Sequence, residues 1–198
     1  MTHPLGLIPS LPIVQLGDPV LREDCAAWDG SPDGEELAAL IELMTDTMHR
    51  APGVGLAAPQ IGVPLRLAVL EDLWPVPDEV ATAREREPLE LIVAINPEYT
   101  PLGTRTAAHY EGCLSMRGYT AVVERPADIL ASWTTPDGAR QERELHGWQA
   151  RIFQHETDHL SGTLYIDKAI TRSLCTDANY QSFWAAPSPE AARAGLRF

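Results

Sequence analysis

The chain has 198 residues, 44% of them apolar and 22% charged, a globular balance that excludes a disordered acidic tail. Fifteen Lys and Arg against 28 Asp and Glu give a formal net charge of −13, which argues against direct DNA binding or a general affinity for anionic membrane. No apolar run approaches the roughly 20 residues that cross a bilayer, and residues 1–15 show no basic cluster ahead of an apolar stretch, so neither a membrane span nor a signal peptide is expected. One domain is the default at this length. The three cysteines cannot all pair, which points to a reducing, cytoplasmic setting, with Cys25 and Cys175 expected as small buried hydrophobes.

Residues 34–50 place Leu37, Leu40, Ile41, Met44 and Met48 at helical spacing, with Asp33 and Glu36 as a capping box and Pro52-Gly53 as the stop. Residues 53–62, rich in Gly and Ala, read as an irregular loop whose backbone approaches something closely. Strands are expected over 65–70 and 91–95, with the charged, Pro-containing segment 71–90 between them as a surface insertion. Further strands are expected over 104–110, 119–123, 129–134 and 140–145, the last two joined by a Pro136-Asp137-Gly138 turn. A second helix covers 148–161 and ends at Gly162, and Ser188-Pro189-Glu190 opens a short terminal helix. Helix, antiparallel-type strands and helix in that order predict an α+β fold.

The second helix carries His155-Glu156-Thr157-Asp158-His159. Histidines four apart project from one helix face, so both rings can reach one cation, and Glu156 is placed to act on a water beside it. A catalytic site of this kind needs a third protein ligand and an open position. Gly162 follows His159 at the offset of the extended metalloprotease pattern, but position 165 is Tyr and not His. Asp177 and Glu190 are downstream carboxylates, neither on a second apolar helix. Upstream, Glu111-Gly112-Cys113-Leu114-Ser115 follows a predicted strand and offers a thiolate, so Cys113, His155 and His159 would supply one sulfur and two nitrogens.

Three blocks taken together, residues 53–60 (Gly-Val-Gly-Leu-Ala-Ala-Pro-Gln), 111–115 (Glu-Gly-Cys-Leu-Ser) and 154–160 (Gln-His-Glu-Thr-Asp-His-Leu), resemble the peptide deformylases. Weaker similarity at 17–22 and 162–167 extends the match over most of residues 15–168, leaving out the insertion and a divergent tail, 169–198. The resemblance implies a single domain, 1–198, of mostly antiparallel sheets around a central metal-binding helix, with an N-terminal and a short C-terminal helix. It implies Cys113, His155 and His159 as metal ligands and Glu156 as the acid/base. Gln60 and the Leu114 backbone N–H would stabilise the oxyanion. The reaction implied is removal of the formyl group from formyl-Met at the start of newly made polypeptides, with metal-bound hydroxide attacking the formyl carbon. The ion implied is Fe2+, with Zn2+ or Ni2+ able to take its place, and a transient ribosome contact follows from the substrate. Losing one oxyanion donor would cost about 3 kcal/mol of transition-state stabilisation.

Trp148 and Ile152, seven and three residues before His155, would line an apolar slot for the methionine side chain with Val54 and Leu114 opposite, although a plain core role fits them equally. Gly55 is expected to lack a side chain because substrate backbone pairs there, and Gly53 to be a helix terminator. Arg125 is expected to pair with Glu111 or Asp158 behind the metal. His3, His49, His109 and His146 are expected to be structural or exposed, His109 remaining a spare ligand. The chain has Arg117 where many relatives carry Pro nearby, which alters the entrance rim. With so acidic a chain, ribosomal contact would need a local basic patch, for which Arg172, Arg193 and Arg197 in the tail are the candidates. Two other readings stay open: a zinc endopeptidase with a carboxylate ligand in place of Cys113, and a silent relative that binds formylated peptides, which the intact Glu156 and Gln60 disfavour.

Overall fold

The computed structural model describes residues 12–30 and 34–198; His3, and Asp33 of the expected capping box, lie outside them. The first helix, α1 (Gly34–Arg50), turns Leu37, Met44 and Met48 inward, as its apolar stripe requires. The strands are β1 (Gly55–Ala57), β2 (Leu67–Asp72), β3 (Leu89–Pro101), β4 (Thr106–Gly112), β5 (Tyr119–Pro126), β6 (Asp128–Thr134), β7 (Arg140–His146) and β8 (Cys175–Thr176). Among the described residues they form a five-stranded sheet in the order β1-β2-β3-β6-β7 and a three-stranded sheet in the order β4-β5-β8. Every neighbouring pair is antiparallel.

Helix α3 (Gly147–His159) packs against strands of both sheets, and nine of its thirteen residues are buried. A helix enclosed to that degree carries few charges unless each is answered, and here the buried Arg151, Glu156, Asp158 and His159 lie among Ile152 and Phe153. The fold is therefore α+β, with α3 between the two sheets. A short α4 (Tyr165–Lys168) follows, then α5 (Asp177–Asn179), a single π-turn over Tyr180–Trp184, and α6 (Glu190–Leu196). Tyr180, Trp184 and Leu196 from this C-terminal stretch pack on Tyr110 and Val122 of the smaller sheet. No helix of the described residues is long and apolar enough to cross a membrane.

Three expectations change. The Gly- and Ala-rich segment is not irregular: its residues form β1 and a 3-10 turn, Ala58–Ile61, closed by Gly62 at φ 84°. Pro59 sits at the start of that turn, where its missing N–H and fixed φ are tolerated. The strand expected to stop at 95 continues to Pro101. Asn96 takes φ 48° and the pairing with β6 shifts register between Ile95 and Glu98, so a bulge absorbs Pro97. The Asn96 side chain holds the bulge by bonding the Trp28 backbone N–H at 2.8 Å and carbonyl at 2.9 Å. Cys25 is buried as expected, but Cys175 is only half-buried, on edge strand β8.

Between β2 and β3 the chain forms α2 (Asp78–Arg84), and its end docks on α3. The Trp148 backbone N–H donates to the Glu85 carbonyl, and glycine suits position 147 twice over: its φ is +51°, and a Cβ there would lie 2.4 Å from that of Glu85. Arg86 donates twice to the buried carboxylate of Asp72, at 2.7 Å each.

Candidate active site

Register places the site. Strand β4 ends at Gly112, so Cys113 is the first residue released from the sheet. Glu111 opposes Ala121 on β5, and Arg125 lies four residues on, which puts both side chains on the same face of the sheet. That face meets α3, whose i, i+4 periodicity presents His155 and His159 together. The Cys113 Sγ and one nitrogen from each imidazole all lie within 4.8 Å of one another, and among the described residues no other group of His, Cys, Asp and Glu comes together as a candidate ion site. Sγ is 3.3 Å from His159 Nε2.

The donor set suits a divalent cation that takes sulfur and nitrogen, and polar groups already orient it. His155 Nδ1 is 3.0 Å from Glu111 Oε2, which leaves Nε2 to face the thiol. The Gln60 amide and the Ser115 backbone N–H each donate to Sγ at 3.4 Å, a setting for a thiolate. His159 Nδ1 is buried without a partner, and burial holds this imidazole well below its ordinary value and so neutral, as a ligand must be.

Behind the cluster lies a buried charge network. Arg125 donates to both oxygens of Glu111, at 2.6 and 2.9 Å, and to Asp158 at 2.7 Å. Arg151 bonds Glu111 as well as the Val123 and Ala107 carbonyls. Lys168 bridges both Asp158 oxygens at 2.7 Å, and the Tyr99 hydroxyl donates to Asp158 at 3.0 Å. Burial pushes the Glu111 carboxyl up, but Arg125, His155 and Arg151 together outweigh it and hold the group well below the carboxylate range.

Glu156 is placed differently. It is buried, its Oε2 has no partner, and burial pushes its carboxyl up to about 7 against the pull of His155 and Arg125. Its side chain fills the space in front of Gly55, where an added Cβ would lie 2.3 Å from Oε1. Gln60 accepts the Ala57 N–H at 2.8 Å, which turns its NH2 toward Cys113 and the Ser115 hydroxyl, 3.2 Å away. A cleft of about 670 Å³ opens over Cys113, His155, Glu156 and Gln60.

The polypeptide deformylase family model matches residues 10–174. The chain belongs to the peptide deformylase family. It is thus an enzyme, a hydrolase of the deformylase class. A peptide deformylase of Bifidobacterium adolescentis is 52% identical over 189 residues, covering 95% of this chain and 86% of that one. The class I type b peptide deformylase of Acinetobacter baumannii, solved with Met-Ala-Ser bound, superposes with TM-score 0.73 at 29% identity, over 82% of this chain and 99% of its own. A Synechococcus elongatus peptide deformylase in complex with actinonin gives TM-score 0.70 at 33% identity, over 85% of this chain and 84% of its own.

Val54, Gly55, Leu114, Trp148 and Ile152 all line this cleft, and Ile152 and Trp148 also pack in the main core. Gly53 does more than end a helix: a Cβ there would lie 2.8 Å from Leu114 Cδ1. Asp177 borders the cleft but, like Glu190, does not join the Cys-His-His group. Nor does His109, which packs edge-on against Trp148 at 6.1 Å. His49 pairs with Glu71, and His146 with Asp128 at 2.7 Å. Sequence reasoning missed Arg151, Tyr99, Lys168 and Ser115. Only Arg151 left a signal, lying one helical turn before His155 on the metal-facing side.

Proposed function

We propose that this chain removes the N-formyl group from formyl-Met at the start of newly made polypeptides and releases formate. The observation that carries the reading is the convergence of Cys113, His155 and His159 within 4.8 Å, beside the buried, unpaired carboxyl of Glu156. Those three side chains would hold one divalent ion, Fe2+ by preference, with Zn2+ or Ni2+ able to replace it. When bound, it supplies Lewis acidity and lowers the pKa of water at the open position.

The rest falls to the chain's own groups. Glu156, with its carboxyl near neutrality, takes a proton from the attacking water as the new C–O bond forms. It returns that proton to the amine nitrogen as the C–N bond breaks. Negative charge that gathers on the former formyl oxygen is met by the Gln60 amide and the Leu114 backbone N–H. Gln60 is held through the Ala57 N–H, which keeps its NH2 on the side of the cluster where the charge develops. Glu111, held by Arg125 and Arg151, fixes the ring of His155, and Asp158 anchors the far side of Arg125. Val54, Gly55, Trp148 and Ile152 receive the first residue and its side chain. The Acinetobacter relative is solved with Met-Ala-Ser bound, a peptide of the sequence that deformylation of formyl-Met-Ala-Ser would leave, which fits this assignment.

The chain acts as one deformylase domain, 1–198, with 71–90 an elaboration on its surface and 169–198 a divergent tail. It works in the cytoplasm of a bacterial-type cell, meeting its substrate at the ribosome through a transient contact. The endopeptidase alternative lacks support because, among the described residues, no carboxylate joins the ligand group. Formate release from a formyl-Met tripeptide by anaerobic, iron-loaded protein tests the assignment. Turnover that Cys113→Ser abolishes supports it, and absence of turnover in the iron-loaded chain, or activity that survives Cys113→Ser, refutes it.

A further inference from the structure

The cleft has a second end that the deformylation chemistry does not use. Trp148 lies seven residues before His155 on α3, about 10 Å along the helix axis. An unbranched side chain of methionine length, starting from an amide at the ion, would end against Trp148. Three guanidinium groups surround that ring. Arg86 and Arg151 lie 5.7 and 5.9 Å from its centre, and each is paired, with Asp72 and Glu111. Arg84, at 4.9 Å, borders the cleft and, among the described residues, has no carboxylate partner. Its Nη2 reaches only the Tyr180 hydroxyl, at 3.4 Å, and its Nε is buried with no acceptor. Trp148 Nε1, on a residue lining the same cleft, is likewise buried without a partner.

These groups converge from separate parts of the chain. Arg84 ends α2, the helix in the insertion between β2 and β3, and Tyr180 comes from the C-terminal tail. A guanidinium without a counter-charge, among indole and phenol donors, favours an acceptor and disfavours another cation. The thioether of methionine is polarizable, a weak acceptor, and suited to the face of an aromatic ring. A sulfoxide oxygen is a far stronger acceptor on a side chain of nearly the same length.

We propose that Arg84, stacked on Trp148 and bonded to Tyr180, closes the inner end of the side-chain slot and selects first residues whose linear side chain carries a hydrogen-bond acceptor near its end. Methionine sulfoxide is accepted and lysine is rejected. The inference rests on the deformylase reading and deepens it. The structural reason for Arg84 is then specificity: its Nε is a donor the fold leaves enclosed and unmet, ready for an acceptor that reaches this end of the cleft.

The test compares kcat/KM for formyl-X tripeptides in which X is methionine, norleucine, methionine sulfoxide or lysine, using the full iron-loaded chain. In the wild type, the sulfoxide peptide should be processed within about tenfold of norleucine, and the lysine peptide should be slower by a thousandfold or more. Arg84→Met should lower the sulfoxide-to-norleucine ratio at least tenfold and raise the lysine-to-norleucine ratio by a similar factor. Arg84→Gln keeps length and a donor while dropping the charge, and serves if the methionine variant fails to fold; it should raise the lysine ratio while lowering the sulfoxide ratio less. Ratios that stay within twofold of wild type in the folded variants, from a chain that hydrolyses formyl-Met, overturn this inference alone. A wild-type chain that releases formate from none of the peptides overturns the deformylase reading and the inference with it.

Discussion

Gly55→Ala is a one-methyl perturbation aimed at the centre of the proposed chemistry. The backbone at Gly55 is not in the left-handed region, so alanine meets no conformational penalty there. Its new Cβ would lie 2.3 Å from Glu156 Oε1, 2.6 Å from Cδ and 2.7 Å from Cγ. The strand cannot yield easily, because Gly55 pairs with Leu70 in the main sheet. The helix cannot yield without moving His155 and His159. The carboxyl must therefore retreat by about 1 Å, a displacement that typically costs on the order of a hundredfold in rate. That corresponds to about 2.7 kcal/mol of transition-state stabilisation. The assay is formate release from a formyl-Met tripeptide, with the urea unfolding midpoint measured alongside. The expected result is a kcat lower by about a hundredfold in a protein that is still folded and still binds metal, since the loss lies in positioning the proton carrier. A kcat within threefold of wild type would refute the claim that Glu156 acts from where it stands.

Replacing Glu156 by Gln keeps the shape and removes the proton carrier, so metal content measured by elemental analysis should hold while kcat falls by about 10²–10⁴-fold. Arg125→Met strands Glu111 and Asp158 as buried carboxylates. Arg151 and Lys168 still answer them, so the loss in urea unfolding should sit near the lower end, about 3 kcal/mol; less than 1 kcal/mol would contradict the network's role. His109 is buried, and burial together with Arg151 and Arg84 holds its imidazole down to about 4. Its folded pKa lies below the unfolded one, so its stabilising neutral form is fully present above pH 6.5 and is lost as pH falls toward 4. His109→Gln should therefore lose less stability than wild type between those pH values, by up to about 3 kcal/mol; parallel pH curves would contradict it.

What could be read from the sequence follows the range of the interactions. The stripe of α1, the i, i+4 histidines and the Arg125–Glu111 pairing are local patterns or strand-register consequences, and they stand where the sequence placed them. The thiol at Cys113 could be nominated as a third ligand from its place after a strand, and the three separated blocks read together named it, because nothing near it in sequence names its partners. Tyr99 and Lys168 reach Asp158 from β3 and from beyond α3, distances in sequence that no periodicity encodes. The bulge at Asn96 was hidden for a similar reason: Pro97 reads as a stop until Trp28, 68 residues before Asn96, is seen to hold the bend. The glycine at 55 was expected to make room for substrate backbone; that the group directly in front of it is Glu156 required the fold.

The central claim is that one sulfur and two imidazoles from Cys113, His155 and His159 share a single ion and leave room for solvent. X-ray absorption on the chain loaded with Co2+ or Fe2+ tests it most directly. The account predicts one sulfur scatterer, two histidine nitrogens and at least one light atom that exchanges with added formate, with the sulfur shell lost in Cys113→Ser. A metal shell without sulfur, or one filled by four protein side chains, would contradict it.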